Sequence, residues 1–162
     1  MQIELKPLHA AILGGLLFVG WPYIKGGIGR PATPTTPSVP ETAVDTALVE
    51  RVKSAIVGPN AKADAKKLAG LYASLATTLE FDGKLQSPQI KTTDQLQRLQ
   101  EVARAYTLDG ATFGETYPAM IQIVADALKA AVGDDVAPLD AAIRSKAVAA
   151  YRNLSAALAK AG

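Results

Sequence analysis

The chain is expected to be all-α, with an N-terminal transmembrane helix, a proline-rich stalk and a small bundle of about five helices. Three observations lead there. Residues 7–24 are eighteen positions without a formal charge, bounded by Lys6 and Lys25. Residues 31–40 hold four prolines. From Glu41 onward, alanine-rich segments repeat their large apolar residues at three- and four-residue spacing, the period of a helix with one buried face. The expected boundaries are 1–30 for the anchor, 31–40 for the linker and 41–162 for the bundle.

The first element is short but long enough. A hydrocarbon core about 30 Å thick needs roughly 20 helical residues, with a range of about 17–25. The stems of Lys6 and Lys25 extend the span toward the headgroups. Leu8, Ile12, Leu13, Leu16, Leu17, Phe18 and Val19 supply the apolar surface. Trp21 and Tyr23 stand beside Lys25, where an aromatic belt belongs. Pro7 suits a first helical turn, and Pro22 falls in the last turn, where carbonyls already lack intrahelical partners. A removable signal peptide and a buried soluble helix are the competing readings. Bulky Trp21, Pro22 and Tyr23, with no small-x-small site in reach, argue against cleavage. Ala10 with Gly14, and Ala11 with Gly15, are small residues four apart. Such pairs allow two membrane helices to approach closely, a route to a homo-oligomer. Glycine and alanine are also simply common in short anchors. His9, the only histidine, reads as a polar residue at the membrane boundary.

Charge is distributed unevenly. The chain has 17 Lys+Arg against 15 Asp+Glu. The excess of two lies within residues 1–30, so the remainder is neutral and has no general drive toward nucleic acid. No cysteine is present, so disulfides and thiolate metal sites are excluded. Counting lysine and arginine on either side of the anchor gives nearly a tie for orientation. The stalk Pro31-Ala-Thr-Pro-Thr-Thr-Pro-Ser-Val-Pro40 is expected to be extended and semi-rigid. That tips the expectation toward an extracytoplasmic bundle on a single-pass anchor, with membrane lipid as one partner and an unidentified protein as another.

Five bundle helices follow. The first runs from about Glu41 to Val57, with Val44, Leu48, Val52 and Ile56 inward, and stops at Gly58-Pro59. The second runs from about Ala61 to Glu80, with Leu68, Leu71, Tyr72, Leu75 and Leu79 on its stripe, and ends at Asp82-Gly83. The third starts at Thr92 as N-cap, with Gln95 placed for a capping box. It carries Leu96, Leu99, Val102 and Tyr106. The fourth starts at Pro118 and stops at Gly133, with Ile121, Val124 and Leu128 inward. The fifth runs from near Pro138 to about Lys160, with Ile143, Ala147, Tyr151, Leu154 and Leu158 inward. Alanine favours helix and close packing. The larger side chains supply the burial energy, about 1.5–3 kcal/mol each when fully covered.

Part of the pattern occurs twice. Lys67-x4-Tyr72-x2-Leu75-x3-Leu79 matches Lys146-x4-Tyr151-x2-Leu154-x3-Leu158. Either alanine-rich amphipathic helices resemble one another by chance, or a helical hairpin is duplicated. Duplication requires Tyr72 and Tyr151 to occupy equivalent core positions.

Residues for familiar chemistry are sparse. A serine or cysteine nucleophile needs a base, and the bundle has neither histidine nor cysteine. The carboxylates are scattered, so no metal or other cofactor is expected. Residues 78–89 place Glu80 and Asp82 at the third and fifth positions of a calcium loop. The ends, Thr78 and Gln89, lack the required acidic oxygens. Gly26-Gly-Ile-Gly29 has no helix N-terminus to complete a phosphate site. An enzyme would have to draw on carboxylates such as Glu80, Asp82 and Glu115 converging in one pocket. The 107–117 loop, with Phe113 and Tyr117, is the candidate partner contact, since aromatics in a glycine-containing loop can anchor a partner. The favoured reading, however, folds the same two rings back as staples over the bundle. The expected role is therefore a non-enzymatic structural or adaptor protein of a bacterial envelope or bacterial-virus assembly. The alternative is a phage lysis or membrane-perturbing factor acting through its anchor, distinguished by whether residues 1–40 alone are toxic.

Overall fold

The computed structural model describes residues 44–162. The expected membrane helix, its small-residue pairs and the proline stalk lie outside them. Among the described residues, no helix is long and apolar enough to cross a membrane. The described part is all-α, without a strand, and has six helices where five were expected. They are α1 (Thr46–Ala55), α2 (Ala61–Asp82), α3 (Thr93–Arg104), α4 (Phe113–Thr116), α5 (Pro118–Val132) and α6 (Ala141–Ala161).

At the centre, α2 and α6 pack antiparallel along their whole length. Gly162 lies against Lys62 and Ala65 at one end. Arg144 reaches Leu79 and Asp82 at the other. Twenty-two residues make α2 about 33 Å long. The contact alternates large and small residues. Leu68, Tyr72, Leu79, Tyr151, Leu154 and Leu158 are fully buried, with Ala65, Ala76, Ala147 and Ala157 between them. These alanines let the helices approach, and the Ser155 hydroxyl donates to the Ala69 carbonyl at 2.7 Å.

Tyr72 and Tyr151 stack at a tilt, ring centroids 6.0 Å apart. They hold equivalent positions in the two central helices, as duplication requires. The equivalence stops there. Both α1 and α5 lie mainly on α6, whereas a two-fold hairpin repeat would place one of them on α2.

Local capping decides the helix boundaries. Helix α1 begins at Thr46, because the Asp45 side chain accepts the Ala47 amide at 2.9 Å and so ends the preceding chain. Helix α6 begins after Asp140, whose carboxylate accepts the Ile143 amide at 2.8 Å. Pro138 is not in the helix. It pairs in extended form with Thr92, and Leu139 donates to the Lys91 carbonyl at 2.7 Å. Helix α5 has Pro118 in its first turn and ends at Gly133, where φ is +81°. Thr92 caps α3, but the Gln95 side chain accepts the Lys91 amide at 2.6 Å rather than that of Thr92.

Helix α3 ends at Arg104, short of Tyr106. Val102 and Tyr106 stay more than a third exposed, although the helical spacing placed them inward. The short α4 falls within the 107–117 segment expected to be loop. It is built on a capping box in which Thr112 Oγ1 accepts the Glu115 amide and Glu115 Oε2 accepts the Thr112 amide.

Candidate functional site

Two features stand out among the described residues: a groove between α3 and α5, and a polar cluster on α2 beneath the α3–α4 connection.

The groove has a volume of about 420 Å³. Its floor is apolar, with Leu96, Val124 and Leu128 buried and Ile121 and Val132 partly so. Gln97, Gln100 and Gln122 line its walls. Gln100 also donates through Nε2 to the Tyr151 hydroxyl, tying the groove wall to the core. The charges at the rim neutralise one another. Arg104 lies 3.5 Å from Glu101, and Lys129 lies 2.8 Å from Asp134. Hydrogen bonding to Asp134 raises the Lys129 pKa. The lining suits apolar side chains flanked by amide hydrogen bonds, the chemistry of an amphipathic helix lying in a groove.

The second feature begins with Asp64, which is 3% exposed. One of its oxygens, Oδ2, accepts the Tyr117 hydroxyl at 2.7 Å. The other, Oδ1, has no hydrogen bond. Its nearest cation, the Lys67 ammonium, is 3.6 Å away and donates instead to Asp109 at 2.8 Å. That bond is the main cause of a raised Lys67 pKa. Burial, aided by Asp64, pushes the Tyr117 hydroxyl up to about 12. Burial also raises Tyr72 and Tyr151, the latter against an opposing hydrogen bond from Gln100. Lys67 already occupies the space between the two carboxylates. No group of three or more potential metal-ligating side chains occurs among the described residues.

Phe113 and Tyr117, expected as partner contacts, are core residues. Phe113 is fully buried, its ring edge-on to Tyr72 with centroids 6.3 Å apart, and Tyr117 is 4% exposed. The partner-contact reading is thereby corrected: both rings fold back over the bundle, the favoured alternative, because they are buried against α2 through Tyr72 and Asp64. The expected lipid contacts, from Leu8 to Tyr23, lie outside the described residues.

The three carboxylates considered for acid–base chemistry do not converge. Glu115 is held by the Thr112 hydroxyl and amide, which lower its pKa. It stands beside Tyr117 and so near the Asp64 end of α2. Asp82 lies eighteen residues away along that helix, about 27 Å at 1.5 Å per residue. Its carboxylate accepts Arg144 Nη1 at 2.9 Å and the Gln89 and Ile90 amides at 2.7 and 3.1 Å. Three donors, one of them a guanidinium, thus already hold both of its oxygens. Glu80 pairs with Arg152 and Lys84.

Reading by period missed this Asp82–Arg144 clasp. Arg144 also donates to the Leu79 and Ile90 carbonyls, so one guanidinium joins α2, the 83–92 loop and α6. The only hint is that Arg144, the fourth residue of α6, interrupts that helix's apolar stripe. Compared with protein-family models, curated proteins and solved structures, the chain matches none.

Proposed function

We propose that this protein is a non-enzymatic adaptor held to a membrane by residues 1–30, which displays its helical bundle to a protein partner. The observation that carries the reading is the eighteen-residue uncharged run between Lys6 and Lys25. Entry of that run into hydrocarbon removes its apolar side chains from water at about 25 cal/mol per Å². The proline-rich segment 31–40 then acts as a spacer. On the bundle, the groove between α3 and α5 supports the adaptor role. It offers a preformed apolar floor with charges compensated at its rim, a lining suited to protein rather than to nucleic acid.

The proposed topology is single-pass with the bundle extracytoplasmic. Close pairing through Ala10, Gly14, Ala11 and Gly15 is the proposed route to any homo-oligomer. The setting is a bacterial envelope or a bacterial-virus assembly. Cell fractionation followed by alkaline extraction tests the premise. The full chain is expected in the membrane pellet, released only by detergent. Recovery in the soluble fraction without detergent overturns the proposal. Crosslinking with mass spectrometry in the native cell or particle then identifies the neighbour and the side of the membrane together.

A further inference from the structure

We propose that residues 105–117 form a strap that opens as a unit, ahead of the rest of the bundle, and uncovers Asp64 and Tyr72. Three observations meet here.

First, the strap closes its middle on itself, and backbone bonds join it to α3 and α5 only at its two ends. Leu108 donates to Ala111 at 2.8 Å, Phe113 to Tyr106 at 2.7 Å, Thr116 to Thr112 at 3.0 Å and Tyr117 to Phe113 at 3.0 Å. Gly110, at φ +94°, makes the tight turn that permits this closure. Opening by local unfolding breaks these bonds together and leaves those of α2 and α6 in place.

Second, side chains alone attach it to α2. Asp109 meets Lys67, Tyr117 meets Asp64, and Phe113 rests on Tyr72. The Lys67–Asp109 pair is exposed and contributes little. Most of the closing energy comes from burying Leu108, Phe113 and Tyr117.

Third, closure leaves polar atoms dry. Asp64 Oδ1 and Tyr72 Oη are the buried side-chain atoms without a hydrogen-bond partner among the described residues. Both belong to side chains that the strap covers. A buried group without a partner forfeits its hydration, so opening returns water to both. Elements of this kind populate the low-stability end of a fold. The open form presents the pocket vacated by Phe113 beside the Tyr72 ring.

Hydrogen exchange of the full chain in detergent tests the strap. The amides of Leu108, Phe113 and Tyr117 are expected to share one opening constant. It should exceed that of core amides such as Leu75 and Leu154 by about 100-fold or more. Asp109→Ala should raise all three by a common factor and leave the core unchanged. Tyr72→Phe, which removes one dry hydroxyl, should lower them. Exchange of the three amides at the core rate, or at mutually unrelated rates, overturns the proposal.

Discussion

Two aspartates near opposite ends of α2 are buried to a similar depth, and the fold serves them differently. Asp82 accepts two backbone amides and a guanidinium that is itself held by two carbonyls. Asp64 accepts one phenol, and its second oxygen has no hydrogen bond, only the Lys67 ammonium 3.6 Å away. A buried carboxylate is costly unless paired and hydrogen-bonded. The Asp82 end therefore behaves as a clasp joining three segments. The Asp64 end behaves as a loosely held cover. Burial alone does not distinguish them; the number of donors does.

The most severe way to break the contrast is Arg144→Met. It leaves Asp82 charged and buried with only two amides, and should destabilise the bundle by about 3–5 kcal/mol in urea unfolding. Gly83→Ala attacks the same clasp sterically. A Cβ there would fall 2.5 Å from Arg144 Cδ, and a loss of about 1–3 kcal/mol is expected in the same measurement.

At the other end the expected effects are smaller and differ in sign. Tyr117→Phe removes the only hydrogen bond to the Asp64 carboxylate and should cost about 1–2 kcal/mol. Tyr72→Phe removes a hydroxyl that has no partner, and should stabilise by about 1 kcal/mol in thermal unfolding. Equal losses for the two tyrosine variants would show that Tyr72 has a partner after all.

Alkaline titration sharpens the comparison further. Tyr117 is raised from 10.0 to about 12, and Tyr72 and Tyr151 are raised as well. The folded state therefore keeps these protons after the unfolded chain has released them. Their contribution is complete below pH 10 and should decline from there through about pH 12. Tyrosinate absorbance and helical content followed together should change in the same interval.

The apolar skeleton was legible in the sequence. Leu68, Tyr72, Leu75 and Leu79 on α2, and Tyr151, Leu154 and Leu158 on α6, are buried where helical spacing placed them. Pro118 and Gly133 bound α5 for the backbone reasons that single them out in a sequence. The polar interior was not legible. Asp82 and Arg144 are 62 positions apart, and nothing local marks either as buried. Val102 and Tyr106 fit the α3 period, but the helix ends before the second and the fold leaves the first near the surface. Thr112-Phe-Gly-Glu115 carried a readable capping signal, and it explains why Phe113 and Tyr117 point inward. The groove depends on how α3 and α5 lie against each other, which no single-helix pattern contains.

The pairing of α2 with α6 also bears on how fast the bundle assembles. Tyr72 and Tyr151 meet across 79 positions of intervening chain. Closing so long a loop is entropically costly before any contact rewards it, and topologies dominated by distant contacts fold slowly for their size. The α5–α6 hairpin, whose helices are neighbours in sequence, can form early. The central seam closes late, so refolding should lag well behind that of an up-and-down bundle of equal length.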